Sequence, residues 1–183
     1  MATDLLADPA ELAVWLGRPA DDPKLVAALR AATRRFRGAV GHPVTLVAGD
    51  TVRLDGTGRA TVLLPVWPTV SVDSVKLDGT LLVEGTDYEW SESGILRRLG
   101  CQYWPARLGC LEAVYGHGWA EIPDDVAEVV IDQARSLYTV VPGVQSKAVG
   151  GQSVTFGAQA AVGVTSQWSA AVARHKVRTG SDV

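Results

Sequence analysis

The hydrophobic period of the chain changes twice, and this order of patterns limits the folds that it can adopt. Apolar residues recur at helical spacing in 9–40, alternate with polar residues in 44–116, and return to helical spacing after 122. Helical side chains share a face at i, i+3, i+4 and i+7, whereas a strand alternates its two faces. The sequence therefore predicts an α+β fold, a helical bundle core with an inserted small antiparallel β region.

Capping signals and apolar stripes predict four helices. Asp8-Pro9 and Asp22-Pro23 each combine a capping carboxylate with a proline at the first helical position. The predicted helices span 9–16, 23–38, 124–141 and 166–177. The first is expected to bury a stripe formed by Leu12, Trp15 and Leu16.

Turn dipeptides divide 44–116 into about five to seven short strands. Asp55-Gly56-Thr57-Gly58 predicts a first hairpin, Asp78-Gly79 a second, and Ser93-Gly94 a third. A last strand is expected at 111–115 and a further one at 153–156.

Length and charge narrow the class of protein. With 183 residues we expect a single domain, 1–183, divided into N-terminal helices (1–43), the β insertion (44–118), a long helix (119–142), and a flexible segment with a C-terminal helix (143–183). The formal charge of −3 excludes a chain-wide basic surface for nucleic acid. We expect neither an export signal nor a membrane span, and two cysteines suit a reducing cytoplasm.

Motifs for catalysis are missing, and the remaining candidates are weak. Cys101, Cys110 and His117 offer ligands that suit zinc, but they lack short spacing and a fourth ligand. Cys101 with His117 or His42 would make a nucleophile and base, although nothing nearby lowers the thiol pKa. Asp124-Asp125 stands where acids stabilise a helix start. We therefore predict no enzyme, with no catalytic, cofactor-binding or metal site.

Two surfaces are candidates for binding. Aromatic residues concentrate in or beside the β region, where exposed rings would form a sugar-binding platform and buried rings would form core or interface: Trp67, Trp90, Tyr103, Trp104 and Trp119. The second helix carries a basic face that is either solvated or in contact with an acidic partner or DNA phosphates: Arg30, Arg34, Arg35 and Arg37.

The segment 143–164 is rich in Gly, Ser, Gln and Ala and leads into the last helix, which carries Trp168 and Val172 on one side. We expect this region to order against a neighbouring subunit, with Trp168 as an anchor; the alternative is that Trp168 covers the helical core of its own chain. The predicted interface residues are Arg30, Arg34, Arg37, Val149, Val154, Phe156, Trp168 and Val172.

The order of these elements, over roughly residues 5–178, resembles the head-to-tail adaptor proteins (head completion or connector proteins) of long-tailed bacteriophages. The resemblance lies in the succession of short motifs: Trp15-Leu16-Gly17, Leu64-Pro65-Val66-Trp67-Pro68, Leu77-Asp78-Gly79, Asp87-Tyr88-Glu89-Trp90, Tyr115-Gly116-His117-Gly118-Trp119, Ile122-Pro123-Asp124-Asp125 and Val149-Gly150-Gly151.

The resemblance implies a structural virion protein, made in the host cytoplasm and located in the head–tail neck. Such adaptors form a ring of about twelve copies below the portal, a closed cyclic assembly with heterologous interfaces. The implied partners are other copies of the chain, the portal protein, the stopper or tail-completion protein, and DNA that passes without sequence specificity. The segment after residue 143 and the last helix are similar to regions that order on docking to a neighbouring copy or to the portal. A carbohydrate-binding module and a small thiol or zinc enzyme remain the alternatives.

Overall fold

A computed structural model describes residues 5–139, 146–149, 152–155 and 165–178, with the backbone alone for 146–149 and 152–155. The first helix, α1 (Pro9–Leu16), begins after Asp8, whose carboxylate accepts a bond from the Ala10 N–H (2.8 Å). It ends at Gly17 in the left-handed conformation. The bounds of this helix match the prediction.

Helix α2 (Pro23–Val40) starts at a second carboxylate cap and continues two residues beyond its predicted end. Asp22 accepts bonds from the backbone N–H groups of Lys24 (2.8 Å) and Leu25 (3.3 Å). The bond from Lys24 is the main reason that the pKa of Asp22 is lowered. Tyr138 donates its hydroxyl to the same side chain (3.3 Å) from α3 (Asp124–Thr139). Helices α1, α2 and α3 pack against one another.

The last helix, α4 (Ser166–His175), is two residues shorter than predicted and packs on α2. Trp168 is 8% exposed, and its ring meets Phe36 edge to face with centroids 5.3 Å apart. Phe36 is itself fully buried. The C-terminal helix therefore buries an aromatic side chain against α2.

The β region forms two antiparallel sheets. The first has the strand order β1 (Val47–Leu54), β7 (Leu111–His117), β3 (Thr69–Leu77) and β4 (Thr80–Leu81). The second has the order β2 (Thr61–Leu63), β6 (Ile95–Arg98) and β5 (Tyr88–Trp90). The predicted mixed α+β class is confirmed.

Two of the three predicted hairpins are present. Strands β3 and β4 meet at Asp78-Gly79, where both residues have positive φ (51° and 82°), as a type I′ turn requires. Strands β5 and β6 pair around the turn at Ser93-Gly94.

The first predicted hairpin is wrong, because β1 pairs with β7 and β2 pairs with β6. The segment between β1 and β2 crosses from one sheet to the other instead of turning back. The Gly56 N–H donates to the carbonyl of Arg107 (2.8 Å), and the Gly109 N–H donates to Asp55 Oδ1 (2.6 Å). A Cβ on Gly56 would lie 1.8 Å from the carbonyl oxygen of Pro105, so close packing, not a tight turn, requires glycine there.

The sheets enclose a hydrophobic core of their own. Trp104, on the segment between β6 and β7, is fully buried in this core, and its indole N–H points to the carbonyl of Leu96 (3.4 Å). The core also contains Leu64, Val75 and Tyr115. The β region is thus stabilised by its own apolar burial.

Backbone pairing also joins β8 (Ser146–Val149) to β9 (Gln152–Thr155) as an antiparallel pair. The strand predicted at 153–156 corresponds to β9, whereas β8 was not predicted. The chain divides into two units, one of Met1–Val40 with Ile122–Arg174 and the other of Gly41–Glu121 with His175–Val183. Within the described ranges, no helix has the length and apolar character of a membrane span.

Candidate interaction surfaces

The predicted basic face lies on the outer side of α2. Leu25, Leu29 and Phe36 form the buried side of this helix, and Arg30 and Arg34 are exposed one turn apart on the other side. Neither of these two arginines forms an ion pair with another residue that the structure describes. Arg37, the third predicted interface residue of this helix, is half-buried and already interacts within the chain.

The C-terminal interface residues are only partly described. Val149 and Val154 lie in β8 and β9, whose side chains fall outside the described part, as does the whole of Phe156. Trp168 is buried on Phe36 of its own chain, which is the alternative that the sequence left open, and Val172 is half-buried. Their role in an interface stays a prediction.

A groove between α1 and α3 is a surface that the sequence did not predict. Trp15 was expected to be buried with Leu12, yet 66% of it is exposed while Leu12 is fully buried. The Arg135 guanidinium lies over the Trp15 ring at 4.9 Å from its centroid. We call this surface the Trp15 groove; it is lined by Glu11, Trp15, Asp124, Glu128, Asp132 and Arg135, with Ala127 and Ile131 at its floor.

The Trp15 groove is predominantly acidic. Asp124, Glu128 and Asp132 follow one another at four-residue intervals along α3, and Glu11 of α1 adds a further carboxylate. Asp132 pairs with Arg135 (3.1 Å), and no other ion pair is recorded for the lining carboxylates within the described chain. The four-residue repeat of acids is the sequence signal that would have indicated this surface.

The aromatic residues of the β region do not form one exposed platform. Trp104 is fully buried, and Trp90 is half-buried with its indole N–H donating to Glu84 (2.9 Å). Tyr103 is 66% exposed, whereas Trp67 and Trp119 contact each other with centroids 6.1 Å apart. A row of rings for sugar stacking is therefore not assembled from these residues, since Trp104 would have to be exposed.

Trp67 and Trp119 instead help to hold the C-terminal residues of the second unit. The ring of His175 stacks on Trp67 (6.1 Å, 11° between planes), and the guanidinium of Arg178 lies 5.1 Å from the centre of the same indole. The Arg178 N–H also donates to the carbonyl of Pro65 (2.9 Å). The segment after α4 is thus fixed by ring stacking and backbone bonding.

His42 completes this attachment in its neutral form. The Val44 N–H donates to Nδ1 of His42 (3.1 Å), so the ring proton lies on Nε2, which donates to the carbonyl of His175 (2.6 Å). Burial lowers the pKa of His42, with a smaller contribution from the neighbouring His117 and His175. Both ring nitrogens are therefore used only while the side chain is uncharged.

The candidate zinc ligands are not brought together in the part of the chain that the structure describes. Cys110 directly precedes β7 and His117 ends it, so seven residues of extended chain, roughly 23 Å, separate them. Cys101 is exposed and Cys110 is buried near the carbonyl of Arg107 (3.4 Å), while His117 faces Asp50 (3.0 Å). Among the described residues, no group of three or more His, Cys, Asp or Glu side chains is placed to hold a metal.

The chain matches no protein-family model and no curated protein sequence. It is similar to a chain from the neck of a native GTA particle computed with C12 symmetry, at 22% identity and a TM-score of 0.51 over 94% of this chain and 91% of that one. It is also similar to a chain from the neck of an empty GTA particle computed with C6 symmetry, at 21% identity and a TM-score of 0.50 over 93% and 90%. These likenesses show a shared fold along nearly the whole chain.

Proposed function

We propose that this chain is a structural virion protein of the head–tail neck, the adaptor that joins a portal to the next completion protein. The single observation that carries the proposal is the fold shared with chains of symmetric particle necks, over more than nine-tenths of this chain. The order of sequence motifs, which resembles head-to-tail adaptors, supports it independently.

In this proposal about twelve copies form a closed ring, the assembly that a heterologous interface generates when its repeated rotation completes a full turn. The helices form the ring body around a helical bundle core, the β region lies at the periphery, and DNA passes through the channel without base-specific contacts. The portal above and a stopper or tail-completion protein below are the proposed partners.

The chain acts by binding rather than by catalysis in this proposal. Asp125, one of the two carboxylates considered for acid–base chemistry, faces Arg174 (2.6 Å), and both acids belong to the first turn of α3. The buried Cys110 thiol donates to two backbone carbonyls, those of Pro105 (3.8 Å) and Arg107 (3.4 Å). These positions support structural roles for the residues concerned.

The test is deletion of the gene from the genome that encodes the chain, followed by electron microscopy of the particles produced. We expect DNA-filled or emptied heads without tails, and recovery of tailed particles when the wild-type gene is supplied in trans. Tailed particles in normal yield without the chain would overturn the proposal.

A further inference from the structure

The Trp15 groove places an exposed tryptophan beside a row of acidic side chains. Trp15 leaves 66% of its surface in contact with solvent, and Val14 beside it leaves 82%. Tryptophan is one of the side chains enriched at the energetic centre of protein interfaces. Exposed apolar surface next to unpaired charge is typical of a site that another macromolecule covers.

The charge of the groove restricts its occupant. Four carboxylates line it, from Glu11, Asp124, Glu128 and Asp132, against the one guanidinium of Arg135. An anionic occupant such as a DNA backbone would be repelled by this excess of negative charge. The occupant must present a row of positive charges to the carboxylates and small side chains where it meets the Trp15 indole.

The outer face of α2 has these properties. Arg30 and Arg34 stand one turn apart along its exposed side, and three small residues share that side of the helix, namely Ala27, Ala31 and Gly38. A Cβ on Gly38 would meet nothing within 4 Å, so the surface there is open. The helix thus combines a basic row with small residues against which an indole ring can pack.

The spacings of the two rows are equal. Arg30 and Arg34 are four residues apart on α2, and Glu128 and Asp132 are four residues apart on α3, which corresponds to about 6 Å along each helix axis. Two helices laid side by side in this register would bring each guanidinium opposite one carboxylate. Within the described part of one chain this pairing is not made: Asp132 pairs with Arg135 (3.1 Å), and Arg30, Arg34 and Glu128 form no ion pair there.

We propose that the Trp15 groove of one copy receives the basic α2 face of a second copy, and that this contact is the subunit interface of the ring. Two different surfaces of the same chain meet, so the contact is heterologous and propagates from copy to copy until it closes. Trp15 is its apolar anchor, and Glu128 and Asp132 pair with Arg30 and Arg34. This inference rests on the proposed neck function, which supplies the ring.

Charge reversal in the complemented deletion strain tests the pairing. The strain that lacks the gene receives R30E/R34E, E128K/D132K, both genes together, or one gene that carries all four changes. Each double variant alone should reduce the yield of tailed particles and weaken self-association of the purified chain by at least about tenfold, since two attractions become repulsions. The two genes together should restore the yield, because in a ring of alternating copies every contact joins a basic surface to an acidic one. The four-change gene should also restore the yield, because it exchanges the charges of the groove and of the α2 face in every copy.

Matched controls separate the interface from general effects. Arg59→Glu/Lys176→Glu makes the same change in net charge at two exposed positions outside α2 and should complement fully. Trp15→Ala should fail to complement although its circular dichroism is unchanged and its melting temperature falls by no more than about 4 °C. Tyr103→Ala, which is also 66% exposed, should complement.

The outcomes distinguish failure of the groove assignment from failure of the proposed neck function. If the wild-type gene is dispensable for tails, the neck function itself fails. If the wild-type gene is required and each double variant complements alone, the neck function stands and the groove assignment is overturned. If both double variants fail but neither their mixture nor the four-change gene recovers, the basic face contacts something other than the groove, and the inference is again overturned.

Discussion

Replacement of Trp168 by alanine tests whether the last helix belongs to the core of its own chain. The indole is 8% exposed and meets Phe36 edge to face at 5.3 Å. If this packing holds α4 in place, Trp168→Ala should lower the free energy of unfolding of the helical unit substantially, even without any partner.

The magnitude follows from the area that the indole buries. A buried tryptophan removes roughly 200 Å² from water, which at about 25 cal/mol per Å² corresponds to about 5 kcal/mol. This value is an upper limit, because the unfolded chain already buries part of the ring and alanine retains a methyl group. We therefore expect a loss of about 3–4 kcal/mol, within the range for aromatic-to-alanine changes in cores.

Urea unfolding followed by far-ultraviolet circular dichroism measures this loss, with Trp15→Ala as the control. Trp15 is the same residue type in the same unit, but it is mostly exposed and contacts Arg135, so its replacement should cost at most about 1 kcal/mol. A double-mutant cycle with Phe36→Leu and Trp168→Leu should give a coupling of about 0.5–1.5 kcal/mol for the ring pair.

Equal urea midpoints for wild type and Trp168→Ala would refute this reasoning. The ring would then contribute nothing to the isolated chain, and the other interpretation of Trp168, an anchor on a neighbouring subunit, would gain support. A large loss with no coupling to Phe36 would show that the packing partner is misidentified.

Three further predictions concern Gly56, His42 and the two cysteines. Gly56→Ala should destabilise the chain by about 2–3 kcal/mol in urea unfolding, because the new Cβ would meet the Pro105 carbonyl. Gly38→Ala, whose Cβ would enter open space, should instead stabilise the chain by about 0.5–1 kcal/mol. Equal effects of the two substitutions would contradict this account. Thermal unfolding should show that the chain loses stability as the pH falls below 6.5, because the unfolded chain protonates His42 at its ordinary pKa while the folded chain, where this pKa is lowered, does not. His42→Gln should make the melting temperature less dependent on pH. An unchanged pH dependence in this variant would exclude His42 as its origin. The Cys101→Ser/Cys110→Ser variant should fold and complement the deletion strain, and stoichiometric zinc in the wild type by elemental analysis, with unfolding on chelation, would contradict this.

Local patterns predicted the elements well where a short-range interaction decides them. The bounds of α1 follow from Asp8, Pro9 and Gly17, since each acts on backbone groups within a few residues. The β3–β4 turn follows in the same way from Asp78-Gly79, whose positive φ values a type I′ turn requires.

The first predicted hairpin failed because strand pairing is not a local property. The glycines after β1 look like a turn, but the bonds of that segment go to residues near 107, about fifty positions away in sequence. The residues 51–64 read alike whether β1 and β2 pair with each other or whether β1 pairs with β7 and β2 with β6.

Of the candidate interface, the sequence predicted the basic residues of α2 but not the groove. Arg30 and Arg34 were assigned to the outer face because the opposite face is apolar, and both are exposed. The burial expected for Trp15 was wrong, because an apolar stripe on a two-turn helix does not determine how much of the ring a neighbouring element covers. The groove exists because α3 lies beside α1, although the two helices are more than a hundred residues apart in sequence.

The sequence alone determined the two periodicities, the helix caps, the charged outer face of α2 and the acidic row of α3, because all of these depend on neighbours within two helical turns. Tertiary structure decided which strands pair, that Trp104 and Trp168 are buried while Trp15 is exposed, and that all three histidines are enclosed. The physical reason is that burial and register depend on which distant segment occupies the adjacent space, and periodicity along one segment carries no information about that segment's neighbour.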